Sequence, residues 1–171
     1  MDVLISETQL QTRVRELAAD IAAALPGTEV VLVGPLKGAC PFMTDLSRAL
    51  YRHGVSVELD YMGLSSYGDG TVSKGEITVT LELQMELSGR PVLLVDDIAD
   101  TGRTLAFARD RVLAQKPSWF ATAVVLDKPS RRVVEVQLDY VGFEIPDLFV
   151  LGYGADLAQR YRELPFIGVR R

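Results

Sequence analysis

The chain has 171 residues, of which 48% are hydrophobic, and its formal net charge at pH 7 is -5. This length is sufficient for one well-buried core and short for two, so we expect a single domain over residues 1–171. The acidic balance argues against a nucleic-acid partner. The one cysteine, Cys40, excludes an internal disulfide. Because neither a signal peptide nor a membrane-length apolar stretch occurs, we predict a cytoplasmic protein with no membrane partner.

The first part of the chain alternates predicted helices and strands. Ser6 and Gln9 form a capping-box pattern before a run of apolar residues at helical spacing, which ends before Pro26. Those apolar residues are Leu10, Val14, Leu17, Ile21 and Leu25. The pattern then predicts a strand at 30–33, a helix at 42–53 and a strand at 55–64. His53, the one histidine, falls at the end of this second helix, where we expect a solvated side chain and no catalyst.

Residues 65–75 are polar, rich in glycine and without periodicity. Loops of this length are uncommon in compact domains and are often functional. We expect this loop to close over a ligand, and a simple hairpin tip is the alternative.

The second part of the chain continues the alternation. Residues 76–83 and 91–95 are predicted strands, 104–115 a helix, and the apolar runs at 119–126, 140–143 and 148–150 further strands. This order predicts an α/β fold with a mainly parallel central sheet flanked by helices.

The most informative motif follows the predicted strand at 91–95. Asp96 and Asp97 come at its carboxyl end, where open α/β sheets usually bind ligands, and such acids suit ribose hydroxyls. The small polar turn from Thr101 to Thr104 opens a helix, whose first N–H groups are suited to a phosphate. Each part taken alone also occurs as a plain turn or as a capped helix start.

The segment from Asp96 to Thr104 resembles the phosphoribosyl diphosphate motif of type I phosphoribosyltransferases. That motif consists, in order, of two acids, two mostly apolar residues, Asp-Thr-Gly and a closing Thr. Further segments resemble the hypoxanthine-guanine phosphoribosyltransferases, which salvage purines. They are Leu36-Lys37-Gly38, Ser66-Tyr67, Leu126-Asp127-Lys128-Pro129, Val141-Gly142-Phe143-Glu144-Ile145-Pro146-Asp147 and Gly152-Tyr153-Gly154-Ala155-Asp156. The resemblance extends from Val3 to Val169, and Asp96 stands where the family commonly has Glu.

This resemblance implies the type I phosphoribosyltransferase fold, with a small hood and a flexible lid loop. The implied reaction transfers the 5-phosphoribosyl group from 5-phosphoribosyl 1-diphosphate to N9 of hypoxanthine or guanine. The products are IMP or GMP and pyrophosphate, and Mg2+ is the implied cofactor. The resemblance also implies a homodimer or a homotetramer.

The resemblance also implies roles for individual residues. Asp100 corresponds to the general acid/base that shares a proton with purine N7, although a structural turn cap is the alternative. The ribose and the 5'-phosphate are bound by one continuous segment. Its residues are Asp96, Asp97, Ile98, Ala99, Asp100, Thr101, Gly102, Arg103 and Thr104.

Pyrophosphate binding falls to Lys37, Gly38 and Arg162. Lys37 lies in a loop where the family has a cis peptide between the residues equivalent to Leu36 and Lys37. A solvated surface position is the alternative for Arg162. Ser66 and Tyr67 correspond to residues of the lid, which shields the reacting centre from water.

Purine binding is implied for Lys128, Phe149, Val150 and Asp156. Because a lysine is only a donor, it favours a 6-oxopurine over adenine. Phe149 corresponds to the residue that stacks on the base, and simple packing is the alternative. The implied metal ligands are Asp96, Asp97 and Asp156.

Two other functions share the diphosphate motif. One is a xanthine phosphoribosyltransferase, which a strong preference for xanthine would reveal. The other is a nucleotide-sensing regulator of the same fold that binds RNA, although the acidic charge and the lack of a basic stripe count against it.

Overall fold

The computed structural model describes residues 1–66 and 76–170 of the chain. The helices are α1 (Glu7–Ala24), α2 (Cys40–Tyr51) and α3 (Arg103–Ala114), with a short 3-10 turn at Pro129–Arg131. The strands are β1 (Asp2–Ile5), β2 (Glu29–Leu36), β3 (Ser56–Ser66), β4 (Ile77–Leu81), β5 (Pro91–Ala99), β6 (Trp119–Asp127), β7 (Tyr140–Glu144), β8 (Val150–Leu151) and β9 (Ile167–Val169).

The main sheet has six strands in the order β4-β3-β2-β5-β6-β7. Every neighbouring pair in it is parallel except β3 and β4, which pair antiparallel on either side of the 67–75 segment. The predicted α/β fold with a mainly parallel central sheet is therefore confirmed. Since β5 lies in the middle of the sheet, its carboxyl end is flanked by strands on both sides.

A second sheet has three antiparallel strands in the order β1-β9-β8. The prediction that residues 148–150 add a strand to the parallel sheet is wrong, because the strand there, β8, pairs with β9. Two or three apolar residues are too short a run to indicate which sheet they join. This small sheet, formed from the two ends of the chain, is the hood that the family resemblance implies.

Helix α1 forms as its sequence predicts. Ser6 and Gln9 make both hydrogen bonds of a capping box, and the apolar face of the helix is buried. Its buried residues are Leu10, Val14, Leu17, Ala18 and Ile21. This face packs into a hydrophobic cluster on one side of the main sheet.

Strand β5 contributes to the core on both sides of the sheet. Leu93 and Val95 lie in the cluster that contains α1 and α2, whereas Val92 and Leu94 lie in a second cluster with α3. A strand covered on both faces needs an unbroken apolar run, which explains the run at residues 92–95.

Several elements extend beyond their predicted ends. Strand β5 continues to Ala99, pairing Ile98 with Leu126 of β6, so Asp96 and Asp97 lie within the strand and not after it. Helix α2 begins two residues before its predicted start and ends at Tyr51. Polar residues inside a strand interrupt the apolar pattern from which its end is predicted. The end of β5 is set instead by its pairing with the neighbouring strand. Within the described ranges, no helix is long and apolar enough to cross a membrane.

Candidate active site

A cavity of about 280 Å³ lies at the carboxyl ends of β2 and β5, next to the start of α3. It brings together most of the residues predicted to bind ribose, phosphate, pyrophosphate or metal. These are Lys37, Gly38, Asp96, Asp97, Ile98, Asp100, Thr101, Gly102, Thr104, Asp156 and Arg162. Sequence reasoning missed Pro35, Leu64 and Leu105, which add apolar surface to the wall and carry no motif of their own.

Two adjacent carboxylates form the floor of the cavity. Asp96 is 6% exposed, and its Oδ1 accepts the N–H of Asp97 at 2.8 Å. Burial and then the neighbouring Asp97 carboxylate raise the pKa of Asp96 well above its usual range. Burial also raises the pKa of Asp97, although the charge of Arg162 is among the influences that oppose this shift. A pair of this kind favours any ligand that brings positive charge or hydroxyl donors.

The turn after β5 leads into α3 through Gly102, which has φ 88° and is the N-cap of the helix. A side chain at this position would be strained in that conformation, and its Cβ would also lie 2.9 Å from the Cδ of Arg132. A glycine N-cap supplies no side-chain acceptor for the first helical N–H groups. The end of the helix dipole that attracts anions therefore faces the cavity.

Arg132 fixes the backbone of this turn, a role that sequence reasoning missed. Its Nε donates to the carbonyl of Asp100 at 3.1 Å, and its Nη2 donates to the carbonyl of Ala99 at 3.4 Å. The same guanidinium pairs with Asp127 at the end of β6. A charged residue next to Arg131 looks like solvated surface in the sequence, and only the fold brings it against this turn.

Asp100 lines the cavity with its side chain 40% exposed. Its Oδ1 accepts a hydrogen bond from the Nε of Arg131 at 3.1 Å, and Asp147 lies 3.8 Å from the same Nε. The hydrogen bond to Asp100 raises the pKa of Arg131 above its usual value. The carboxylate therefore has a cationic partner on the side of the 3-10 turn.

The predicted pyrophosphate residues lie at the other side of the cavity. The peptide between Leu36 and Lys37 is cis, as the resemblance implies. Gly38 lies so close to Asp97 that an added Cβ would be 2.5 Å from the carboxylate. Arg162 donates to the carbonyl of Gly154 at 2.6 Å and pairs with Asp156 at 3.0 Å, and its buried Nε has no partner among the described residues.

The remaining predicted residues that fall within 1–66 and 76–170 do not line this cavity. Lys128 is buried, and its backbone N–H bonds to the carbonyl of Ala99 at 2.9 Å. Phe149 is 53% exposed, and Val150 is buried in β8. Ala99 is buried and Arg103 exposed, and Ser66 lies at the end of β3. Tyr67 lies outside the described residues.

The residues predicted to bind metal lie in the cavity but do not form a closed metal cage. Within residues 1–66 and 76–170, no group of three or more His, Cys, Asp or Glu side chains is arranged to hold a metal ion. The adjacent carboxylates of Asp96 and Asp97 nevertheless fit Mg2+, which usually takes one or two carboxylates and completes its coordination with water and phosphate oxygens.

Four carboxylates, two cations and a helix start surround one cavity, as expected of an α/β protein that binds a sugar phosphate or a nucleotide. The chain belongs to the phosphoribosyl transferase domain family, whose model matches residues 6–157. The matched range includes every lining residue of the cavity except Arg162.

Curated relatives cover nearly all of the chain. A hypoxanthine-guanine phosphoribosyltransferase of Bacillus subtilis is 43% identical over 98% of this chain and 91% of its own length. A hypoxanthine phosphoribosyltransferase of Escherichia coli is 42% identical over 98% of this chain and 94% of its own. A bifunctional protein TilS/HprT of Listeria monocytogenes is 47% identical, and the chain spans 25% of that longer relative.

Solved structures show the same fold. A hypoxanthine-guanine phosphoribosyltransferase of Bacillus anthracis is similar with a TM-score of 0.92 and 41% identity, covering 100% of this chain and 99% of that one. The hypoxanthine phosphoribosyltransferase of Trypanosoma cruzi has a TM-score of 0.90 and 35% identity, covering 100% and 97%. The type I phosphoribosyltransferase fold is thereby established for this chain.

Proposed function

We propose that this chain is a purine-salvage enzyme. It transfers the 5-phosphoribosyl group from 5-phosphoribosyl 1-diphosphate to N9 of hypoxanthine or guanine, giving IMP or GMP and pyrophosphate. The observation that carries the proposal is one cavity with the Asp96–Thr104 segment on one side and Lys37 and Arg162 on the other. The names of the relatives at 42–43% identity support the same reaction.

In this reaction the bond from the anomeric carbon to pyrophosphate breaks, and positive charge develops on the ribose. Asp96 and Asp97 orient the ribose hydroxyls, and the 5'-phosphate occupies the start of α3. Lys37 and Arg162 stabilise the negative charge of the departing pyrophosphate. Asp96, Asp97 and Asp156 would hold Mg2+, which when bound neutralises part of that charge.

Asp100 is proposed as the general acid/base that shares a proton with purine N7. Its carboxylate faces the cavity and is half exposed, so a base can reach it once the ribose is in place. The hydrogen bond from Arg131 limits the rotation of the carboxylate and keeps an acceptor oxygen defined. Arg132 holds the backbone carbonyl of the same residue.

Base selection is proposed for Lys128, Phe149, Val150 and Asp156. The ammonium of Lys128 would donate to the 6-oxo group and would meet only donors on the amino group of adenine. Phe149, at 53% exposure, has a ring surface on which a purine can stack. The lid, with Ser66 and Tyr67, would exclude water from the donor diphosphate.

Assembly, domain organisation and location are further parts of the proposal. We infer a homodimer or homotetramer, one domain over residues 1–171 and a cytoplasmic enzyme. None of the relatives named above is a xanthine enzyme or an RNA-binding regulator, so neither alternative is retained.

Steady-state assays test the proposal directly. Purified protein is given 5-phosphoribosyl 1-diphosphate, Mg2+ and one of hypoxanthine, guanine, xanthine or adenine, and nucleotide formation is followed spectrophotometrically. We expect turnover with hypoxanthine or guanine that exceeds turnover with adenine. Absence of turnover with both 6-oxopurines would reject the proposed function.

A further inference from the structure

A tight turn between Leu157 and Arg160 lies beside the pyrophosphate side of the cavity. The two residues exchange backbone hydrogen bonds, each of 3.1 Å, which leaves a loop of only Ala158 and Gln159. Both loop residues have positive φ, 50° and 68° respectively. A two-residue turn with positive φ at both positions normally contains Gly or Asn, because a Cβ is crowded in this conformation.

The side chain of Gln159 contacts both proposed pyrophosphate cations. Its Oε1 accepts from the Nζ of Lys37 at 3.2 Å and from the Nη2 of Arg162 at 3.3 Å. Lysine and arginine side chains are donors only, so the oxygen of the carboxamide, and not its nitrogen, must face them. The backbone N–H of Gln159 is itself held at 2.7 Å by Oδ2 of Asp156.

We propose that Gln159 is a positioning residue for pyrophosphate, an inference that rests on the proposed function. Lys37 and Arg162 repel each other, and a neutral acceptor between them directs donors from both cations towards one point. The amide oxygen occupies that point itself, and the N–H donors of Lys37 and Arg162 that do not bond to Gln159 stay available to diphosphate oxygens. Because the carboxamide carries no net charge, it holds the cations without neutralising them.

The unfavourable backbone of the turn supports this role. Residues held in a sparsely populated conformation persist where the surrounding structure requires them, and they cluster at functional sites. Glycine at position 159 would relieve the crowding and remove the acceptor. The proposal therefore predicts that stability and pyrophosphate binding change in opposite directions on this substitution.

The experiment compares Gln159→Gly with the matched variant Ala158→Gly, which relaxes the adjacent position of the same turn and removes no polar group. We expect neither variant to lower the melting temperature. For Gln159→Gly alone, we expect the KM for the diphosphate donor to rise roughly 3- to 10-fold, with the KM for the purine unchanged. Binding of inorganic pyrophosphate with Mg2+, measured by calorimetry, should weaken by a similar factor.

A second variant, Gln159→Met, keeps the bulk of the side chain and the crowded backbone but lacks the acceptor, and it should weaken pyrophosphate binding to the same extent. Unchanged pyrophosphate affinity and donor KM in both Gln159 variants would overturn the inference. Equal losses in Ala158→Gly and Gln159→Gly would overturn it too, because they would trace the effect to the backbone. If the parent protein shows no turnover and binds no pyrophosphate, the proposed function itself fails.

Discussion

The two halves of strand β5 differ in what they bury. Residues 92–95 bury four apolar side chains, each fully inaccessible, between helices on both faces of the sheet. Of the next two residues, Asp96 is buried and Asp97 is partly buried, and burial raises the pKa of both carboxylates. Every buried apolar side chain stabilises the fold, whereas a buried carboxylate without a cation destabilises it.

This difference separates stability from function along a single strand. The apolar half positions the strand in the centre of the sheet, and the acidic half uses that position to present ligand-binding groups. The carboxylates lower the stability of the ligand-free protein. A ligand that brings hydroxyl groups or positive charge offsets this destabilisation when it binds. The predictions below test whether the two halves respond to substitution in these opposite ways.

The largest expected effect on activity is at the residue that follows β5. Asp100→Asn keeps the size of the side chain and an acceptor for Arg131 but removes the carboxylate that can accept and return a proton. We expect kcat to fall about 10²- to 10⁴-fold with little change in donor affinity, measured by steady-state kinetics. Asp147→Asn is the matched control, since Asp147 lies 3.8 Å from the same guanidinium and does not line the cavity. Equal losses in both variants, or no loss at Asp100, would contradict the assigned role.

A substitution in the apolar half of β5 should lower stability and leave kcat unchanged. Leu93→Ala removes a fully buried side chain and should lower the free energy of unfolding by about 2–5 kcal/mol, measured by urea denaturation. The kcat per folded molecule should stay close to that of the parent. If kcat per folded molecule falls as far as in Asp100→Asn, the separation of the two halves is wrong.

A substitution in the acidic half should stabilise the protein. Because the pKa of Asp96 is raised in the fold, the folded state binds this proton more tightly than the unfolded chain does. The resulting destabilisation is absent below about pH 4 and grows as the pH rises towards the folded-state pKa. Asp96→Asn should therefore raise the free energy of unfolding at pH 7 and have little effect near pH 4, while donor binding weakens.

Urea titrations at the two pH values measure this effect. Asp110→Asn is the control, because that carboxylate is 68% exposed on α3 and should change stability little at either pH. A stability of Asp96→Asn at pH 7 equal to or below that of the parent would show that the buried carboxylate is not a cost to the fold.

The smallest expected effect is on β6, next to the apolar half of β5. The Oγ1 of Thr122 is buried without a hydrogen-bond partner within the described residues, and Thr122 pairs with Leu94. Thr122→Val should raise the free energy of unfolding by about 1 kcal/mol or less. Thr44→Val, which removes a hydroxyl bonded to the carbonyl of Cys40 at 2.9 Å, should lower it instead. The same sign for both, by thermal denaturation, would contradict this reasoning.

Local patterns explain which parts of the fold could be predicted from the sequence. Helix α1 is predictable because its cap and its apolar face are encoded within one short segment. The pairing of β8 with β9 is not, since both strands are short and their partners are distant in the chain. The apolar pattern predicts the end of β5 too early because Asp96 and Asp97 are polar, although both lie within the strand.

The candidate site likewise has residues that the local sequence predicts and residues that it does not. The segment from Asp96 to Thr104 is contiguous, so the order of its residues predicts that most of them line one cavity, and all but Ala99 and Arg103 do so. Arg132 and Gln159 escaped detection because each contacts groups supplied by other elements of the fold. Their sequence context resembles solvated surface, and only tertiary structure gives them partners.

The central claim is that the carboxyl end of β5 and the start of α3 together bind a phosphorylated ribose. A crystal structure of the protein with IMP or GMP, Mg2+ and pyrophosphate tests it most directly. We predict the 5'-phosphate against the backbone amides of residues 101–104 and the ribose hydroxyls over Asp96 and Asp97. A nucleotide bound elsewhere, with this cavity filled by protein side chains or solvent, would contradict the account.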